Sequence, residues 1–112
     1  MKIETINRNY LFLRAYKSRL NFVSPVIITY VVKRKGSGGP RLGITTGKKV
    51  GCAVERNRAR RVVRAAAAEL LRETRDSVDI VVVCRHPASK VSSTEIRDIM
   101  RDHLTSAGVS VC

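Results

Sequence analysis

Apolar residues recur along this chain with two spacings, helical and alternating, and each change of spacing marks a new element. From about residue 9 to 18, Phe12 and Tyr16 stand four apart on one face of a helix that Asn7 or Asn9 can cap. The β-branched run at residues 26–32 reads as a strand. It is opened by Pro25, a residue tolerated at a strand start but not inside one. A short strand before Pro25 has only a weak signal. Residues 36–40 form a flexible turn, after which "RLGITT" returns as the second strand of a hairpin.

Helical spacing resumes from about residue 54 to 75. At 100° per residue, Ala59, Val62, Val63, Ala66 and Leu70 gather within about a third of the circle. Arg56, Asn57, Arg60, Arg61 and Arg64 spread over the opposite side, with Arg58 on the flank. Ala67 and Leu71 drift toward the basic side. "DSVDIVVVCRHPAS" then supplies a buried strand, Val78–Cys84, ending at a His-Pro turn. A last helix, "SSTEIRDIMRDHL", opens at Ser93 or at a capping box of Ser92 with Glu95, and stacks Ile96, Ile99, Met100 and Leu104 in one stripe. Helix, strands, helix, strand, helix is the order of an α+β sandwich, with helices packed on a small sheet. At 112 residues the chain is expected to form one domain, residues 1–112.

Charge changes the picture. Lys and Arg total 22 against nine acids, a formal net charge of +13. Solubility needs far less, and the excess destabilises a compact state by self-repulsion, so a polyanionic partner is the economical explanation. Arginine outnumbers lysine 15 to 7, and the planar guanidinium matches phosphate and stacks on bases. The stretch "TGKKVGCAVERNRARRVVR" concentrates Lys48, Lys49, Arg56, Arg58, Arg60, Arg61 and Arg64 against Glu55 alone. A merely solvated helix mixes signs and prefers acids in its first turns, whereas these arginines oppose both the macrodipole and one another. The face is built to bind an anion.

Other chemistry has little support. Cys52, Cys84 and Cys112 lie far apart with no CxxC pair, as in a cytoplasmic protein with reduced thiols. The N-terminal stretch lacks the apolar core of a signal peptide, and no apolar run approaches the roughly 18 residues of a membrane span. His86 and His103 have no nucleophile at informative spacing. Asp76 and Asp79 are the closest acidic pair at a strand start, which alone does not specify a two-metal site. "TTGKK" lacks the leading glycine of a phosphate loop.

The segment "GKKVGCAVERNRARRVVRAAAAEL" strongly resembles the signature of the bacterial ribonuclease P protein family, whose helix carries an Arg-Asn-Arg motif, here Arg56, Asn57 and Arg58. The resemblance continues through "NYLFLRAYK", "VIITYVV", "RLGITTGKK" and "DIVVVCRHPAS", nearly the whole chain; Cys52 stands where the family often has asparagine. It implies a two-layer α-β-β-β-α-β-α sandwich with a left-handed βαβ crossover, a ribosomal-protein-like fold in which the strand before Pro25 is real. Pattern alone would give the usual right hand.

By the same resemblance, the chain would be the protein subunit of an endoribonuclease that removes the 5′ leader of precursor tRNA. The resemblance implies that the RNA subunit is the catalyst, that Mg²⁺ is held mainly by RNA and substrate, and that no protein side chain is catalytic. Ribonuclease P RNA and precursor tRNA are the implied partners, with no membrane and no obligate protein partner. Lys48, Lys49, Arg56, Asn57, Arg58, Arg60, Arg61 and Arg64 would contact RNA. Phe12, Tyr16 and Tyr30 would line a leader-binding cleft by base stacking, bordered by Lys17 and Lys33. Two other readings compete. A structural rRNA-binding protein predicts no effect on tRNA processing, and an independent metal-dependent nuclease would need Asp76 or Asp79.

Overall fold

A computed structural model describes residues 3–36 and 38–111. The elements are β1 (Glu4–Thr5), α1 (Asn9–Tyr16), β2 (Asn21–Val23), β3 (Ile27–Lys33), β4 (Arg41–Thr46), α2 (Ala53–Leu70), β5 (Val78–Cys84) and α3 (Ser93–Ser106). Short 3-10 turns at Lys48–Val50 and His86–Ser89 lead out of β4 and β5. The strand before Pro25 is present as β2, and β1 is a two-residue strand that the sequence pattern does not announce.

The strands form one mixed sheet in the order β1-β4-β5-β3-β2. β5 runs parallel to β4 and antiparallel to β3, so β4 and β3 are not the hairpin pair expected from the 36–40 turn. The continuous apolar run of β5 explains the difference: a strand buried on both faces belongs in the middle of a sheet, between the two.

α2 and α3 cover one face. Ile27 and Val31 of β3 and Ile80 and Val82 of β5 meet Ala59, Val63 and Leu70 of α2 and Ile96, Met100 and Leu104 of α3 there. α1 sits on the opposite face, where Leu11 and Ala15 bury against Val81, joined by Ile6. The apolar stripe of α2 is wider than the wheel indicates, because Ala67 and Leu71 are fully buried as well. The helix also ends earlier than expected, at Leu70. Leu71 turns into the core, and the buried Thr74 donates its hydroxyl to the Ser110 carbonyl, fixing the exit.

Local caps vary. Ser92 caps α3, its hydroxyl accepting from the Glu95 N–H at 3.1 Å. α1 begins after Arg8 with no side-chain cap, so neither Asn7 nor Asn9 serves.

Candidate nucleic-acid interface

The turn between β4 and α2 is held from inside and displays cations outside. Val50 is buried, while Lys48 and Lys49 are exposed. Gly51 takes φ 135°, and a Cβ there would lie 2.5 Å from a Glu55 carboxylate oxygen, so only glycine fits. Glu55 Oε1 accepts from the backbone N–H of Cys52, the N-cap residue, at 3.4 Å. Glu55 therefore serves the helix start, and the exposed Cys52 is a capping position rather than part of the basic face.

Along α2, Asn57, Arg58, Arg61 and Arg64 are exposed, and Arg56 and Arg60 are half-buried. Arg58 is tied down, its Nε donating to the Ser89 carbonyl at 2.8 Å. Arg60 reaches Asn57 Oδ1 at 3.4 Å. Among the described residues, no acid pairs with any arginine between positions 56 and 64; the ion pairs lie on Asp79, Glu69 and Asp98. The face is thus an uncompensated cation array on a rigid element, able to take several phosphates without first giving up a partner.

The aromatic residues lie on the other face of the sheet. Gly43, Val81, Tyr30 and Asn21 are in register across β4, β5, β3 and β2. Phe12 packs over Gly43, whose hypothetical Cβ would fall 2.7 Å from the ring. Tyr16 meets Tyr30 edge to face, 5.3 Å between centroids at 75°. Two strand spacings, about 10 Å, separate the Phe12 and Tyr30 ends of this line.

The next register row, Thr45, Val83, Ile28 and Val23, lies beyond α1. Its first three residues are half-buried, and Val23 is 63% exposed. The result is an open apolar trough bordered by Phe12, Tyr16 and Tyr30. Tyr16 itself is 41% exposed. Lys17 is exposed at the C-cap of α1, but Lys33 is not near the trough: its Nζ lies by Gly108, on the α3 side.

Gly43 and the Thr45–Val23 row are parts of the trough that sequence reasoning missed. The mid-strand glycine of "RLG" is a usable signal for close approach. The row depends on register between distant strands, which leaves no local trace.

The remaining polar groups are committed elsewhere. Asp79 is fully buried and paired with Arg14, Arg34 and Arg41 at 2.8, 3.0 and 2.7 Å. Burial alone would push its carboxyl up, but hydrogen bonds from Arg41 and Arg14 and the charges of Arg41 and Arg34 outweigh it, holding the pKa below the ordinary carboxylate value. Asp76 accepts from the Ser110 N–H. The two aspartates therefore do not converge, and the described residues contain no group of three or more His, Cys, Asp or Glu suited to a metal.

His103 shares a hydrogen bond of 2.9 Å with Thr29 and stacks on Phe22, a packing role; His86 is exposed in its turn. Burial raises the Cys84 thiol to about 11, leaving it inert. Cys112 lies outside the described residues. No helix among the described residues is long and apolar enough to cross a membrane.

Together these features define a small α+β sandwich that carries an arginine helix on one face and an aromatic-edged trough on the other. The Ribonuclease P family model matches residues 1–108. The chain is 35% identical over 108 residues to the ribonuclease P protein component of Shouchella clausii, covering 96% of this chain and 88% of that one. It is 29% identical over 104 residues to the Oceanobacillus iheyensis protein, covering 93% and 86%. The Staphylococcus aureus RNase P protein structure superimposes with a TM-score of 0.77 at 29% identity, covering 97% and 99%. The Thermotoga maritima RNase P protein, at 24% identity and a TM-score of 0.72, shares the fold over 88% and 93%. The chain belongs to the ribonuclease P protein family, and with that to the endoribonuclease machinery of tRNA processing.

Proposed function

We propose that this protein binds the RNA subunit of ribonuclease P through α2 and the turn before it, and holds the 5′ leader of precursor tRNA in the trough beside α1. The observation that carries this reading is the unpaired cation array of Lys48, Lys49 and the α2 arginines on the same small domain as an aromatic-edged, uncovered sheet row. Guanidinium and ammonium groups neutralise phosphates and lower repulsion between two polyanions. The rings of Phe12, Tyr16 and Tyr30 stack unpaired bases without demanding a sequence, at about 1–3 kcal/mol per stacked base.

The protein's part in leader removal is then positioning and charge neutralisation, with the RNA subunit as catalyst in the cytoplasm. Mg²⁺ belongs to the RNA and substrate in this reading. Asp79 does not suit it, since its carboxylate already faces three guanidiniums.

The test is cleavage of precursor tRNA at low Mg²⁺ by a bacterial ribonuclease P RNA, by the protein, and by both. Cleavage only with both, weakened by Arg56→Ala or Arg60→Ala, is the expected result. A folded protein that stimulates no bacterial ribonuclease P RNA would favour a structural rRNA-binding role, and cleavage by protein alone would make it a nuclease in its own right.

A further inference from the structure

β1 pairs only with Arg41 and Leu42 of β4. Beyond Leu42 the outer edge of β4 has no strand partner among the described residues, and the alternation of a strand directs the N–H and C=O of Ile44 to that edge. A cleft of about 400 Å³ lies there, between the strand edge and α2. Ile6, Phe12, Leu42 and Ile44 give it an apolar lining, while Arg60 and Arg64 line it from the helix side. No carboxylate lines it. Arg64 has no partner among the described residues, and Arg60 has only the long contact to Asn57.

Three features converge. The volume is at the small end for ligand sites, enough for one base and its sugar rather than a longer segment. The lining offers an aromatic ring and aliphatic walls to a base, and the open strand edge offers one donor and one acceptor for the base's own polar rim. Two guanidiniums with no acidic partner among the described residues suit the attached phosphate, and they select against the acid-free apolar peptide that a bare strand edge would otherwise attract.

We propose that this cleft takes one unpaired nucleotide of the ribonuclease P RNA, its base held between Ile44 and Phe12 and its phosphate by Arg60 and Arg64. The site shares the Phe12 ring with the trough but opens elsewhere: it lies at the β4 edge toward α2, whereas Tyr16 and Tyr30 lie over β3 on the α1 face. The inference rests on α2 being an RNA-binding helix. It adds that the RNA is gripped by a base as well as by its backbone.

Ala68 is exposed on α2 and lines the cleft, so Ala68→Leu fills it from the helix side with a residue that favours helix and leaves every cation in place. Adenosine monophosphate, inorganic phosphate and an acidic hexapeptide would be titrated into the full-length protein by NMR, and ribonuclease P RNA affinity measured for the native chain and Ala68→Leu. Adenosine monophosphate should shift Ile6, Phe12 and Ile44 where phosphate shifts only the arginines. Ala68→Leu should abolish those apolar shifts and weaken RNA binding about tenfold.

The site is overturned if the nucleotide acts no differently from phosphate, if the peptide rather than the nucleotide fills the edge, or if Ala68→Leu binds RNA as well as the native chain does. The broader reading fails separately, by the native chain's not binding this RNA at all; a nucleotide in the cleft would then belong to another source, and the RNA assignment would fall with it.

Discussion

Arg14 of α1 donates from Nη2 to Asp79 Oδ2 of β5 at 2.8 Å, across 65 residues of sequence. Asp79 also receives Nε and Nη2 of Arg41, its register partner on β4, at 2.7 and 2.9 Å. Arg34, which follows β3, completes the set and also donates to the Gly39 carbonyl of the turn before β4. One buried carboxylate thus ties the first helix, two strands and a turn at the end of the sheet face away from the trough. The two charged ends of the assembly differ in kind, since the cations here face a carboxylate and, among the described residues, those at positions 56–64 of α2 face none.

Removing that carboxylate charge leaves three arginines facing one another. Asp79→Asn should lower stability by about 3 kcal/mol, as for other broken buried pairs. Arg14 is 47% exposed, and Arg14→Gln should cost under about 1 kcal/mol. Urea titrations followed by far-UV circular dichroism would measure both. Equal costs would show that the exposed arginine, rather than the two on the sheet, carries the pairing.

Acid should unfold the protein in two stages, both of the same sign. Burial depresses the His103 imidazole below its ordinary value of 6.5, with Asp102 pulling weakly the other way. Folding therefore disfavours its charged form; that stability is complete above 6.5 and is lost as pH falls through the lower folded value. Asp79 is likewise depressed, from an ordinary 3.8, so its contribution persists above 3.8 and disappears as pH falls through its folded value. Urea midpoints measured against pH should fall in these two windows. His103→Gln should abolish only the upper step and Asp79→Asn only the lower, and a single step in the native chain would refute the assignment.

How far the sequence reveals this molecule depends on whether a feature is local. The Ser92 cap, the β5 run and the basic face of α2 follow from residues within one or two turns of each other, and all are found where the pattern places them. The 41–46 strand does not pair with β3 as its turn suggests, and nothing near residues 36–40 reports that β5 will insert between β3 and β4. Lys33 lies on the α3 side because the strand's two-residue period sets its face, whatever the charge argument suggests. Phe12, Tyr16 and Tyr30 are correctly brought to one face by the family resemblance, yet the Thr45–Val23 row beside them is created only by pairing four strands in register.

Gly43 offers a test of that trough. A methyl group there would meet the far edge of the Phe12 ring at 2.7 Å and the Ile6 Cβ at 3.2 Å. The ring end can swing aside, so Gly43→Ala should cost only about 1 kcal/mol of stability. Displacing the ring should nonetheless weaken binding of precursor tRNA carrying a leader, while tRNA without one binds as before. Fluorescence titrations with the two RNAs would separate these outcomes. Equal losses for both would mean that Phe12 supports the fold rather than the leader.

The arginines of α2 should divide by what already holds them. Arg61 and Arg64 project freely, so Arg61→Ala and Arg64→Ala should leave thermal stability unchanged. Each should make the log–log salt dependence of RNA binding shallower by about 0.7–0.9, one phosphate's share. If about six such contacts form, the native slope is near −4 to −5. Arg58 is different, because its Nε holds the Ser89 carbonyl in the turn that leads to α3. Arg58→Ala should therefore lower stability by about 1 kcal/mol as well as weakening RNA binding, since it strands a partly buried acceptor. Arg58→Lys keeps the charge but not the planar fork, so it should recover the salt slope without recovering the stability. Filter-binding titrations across salt concentrations, paired with thermal melts, read both quantities on each variant. If Arg58→Ala changes the slope and not the melting temperature, Arg58 is one more free phosphate ligand, and the contact with Ser89 has no part in anchoring α2.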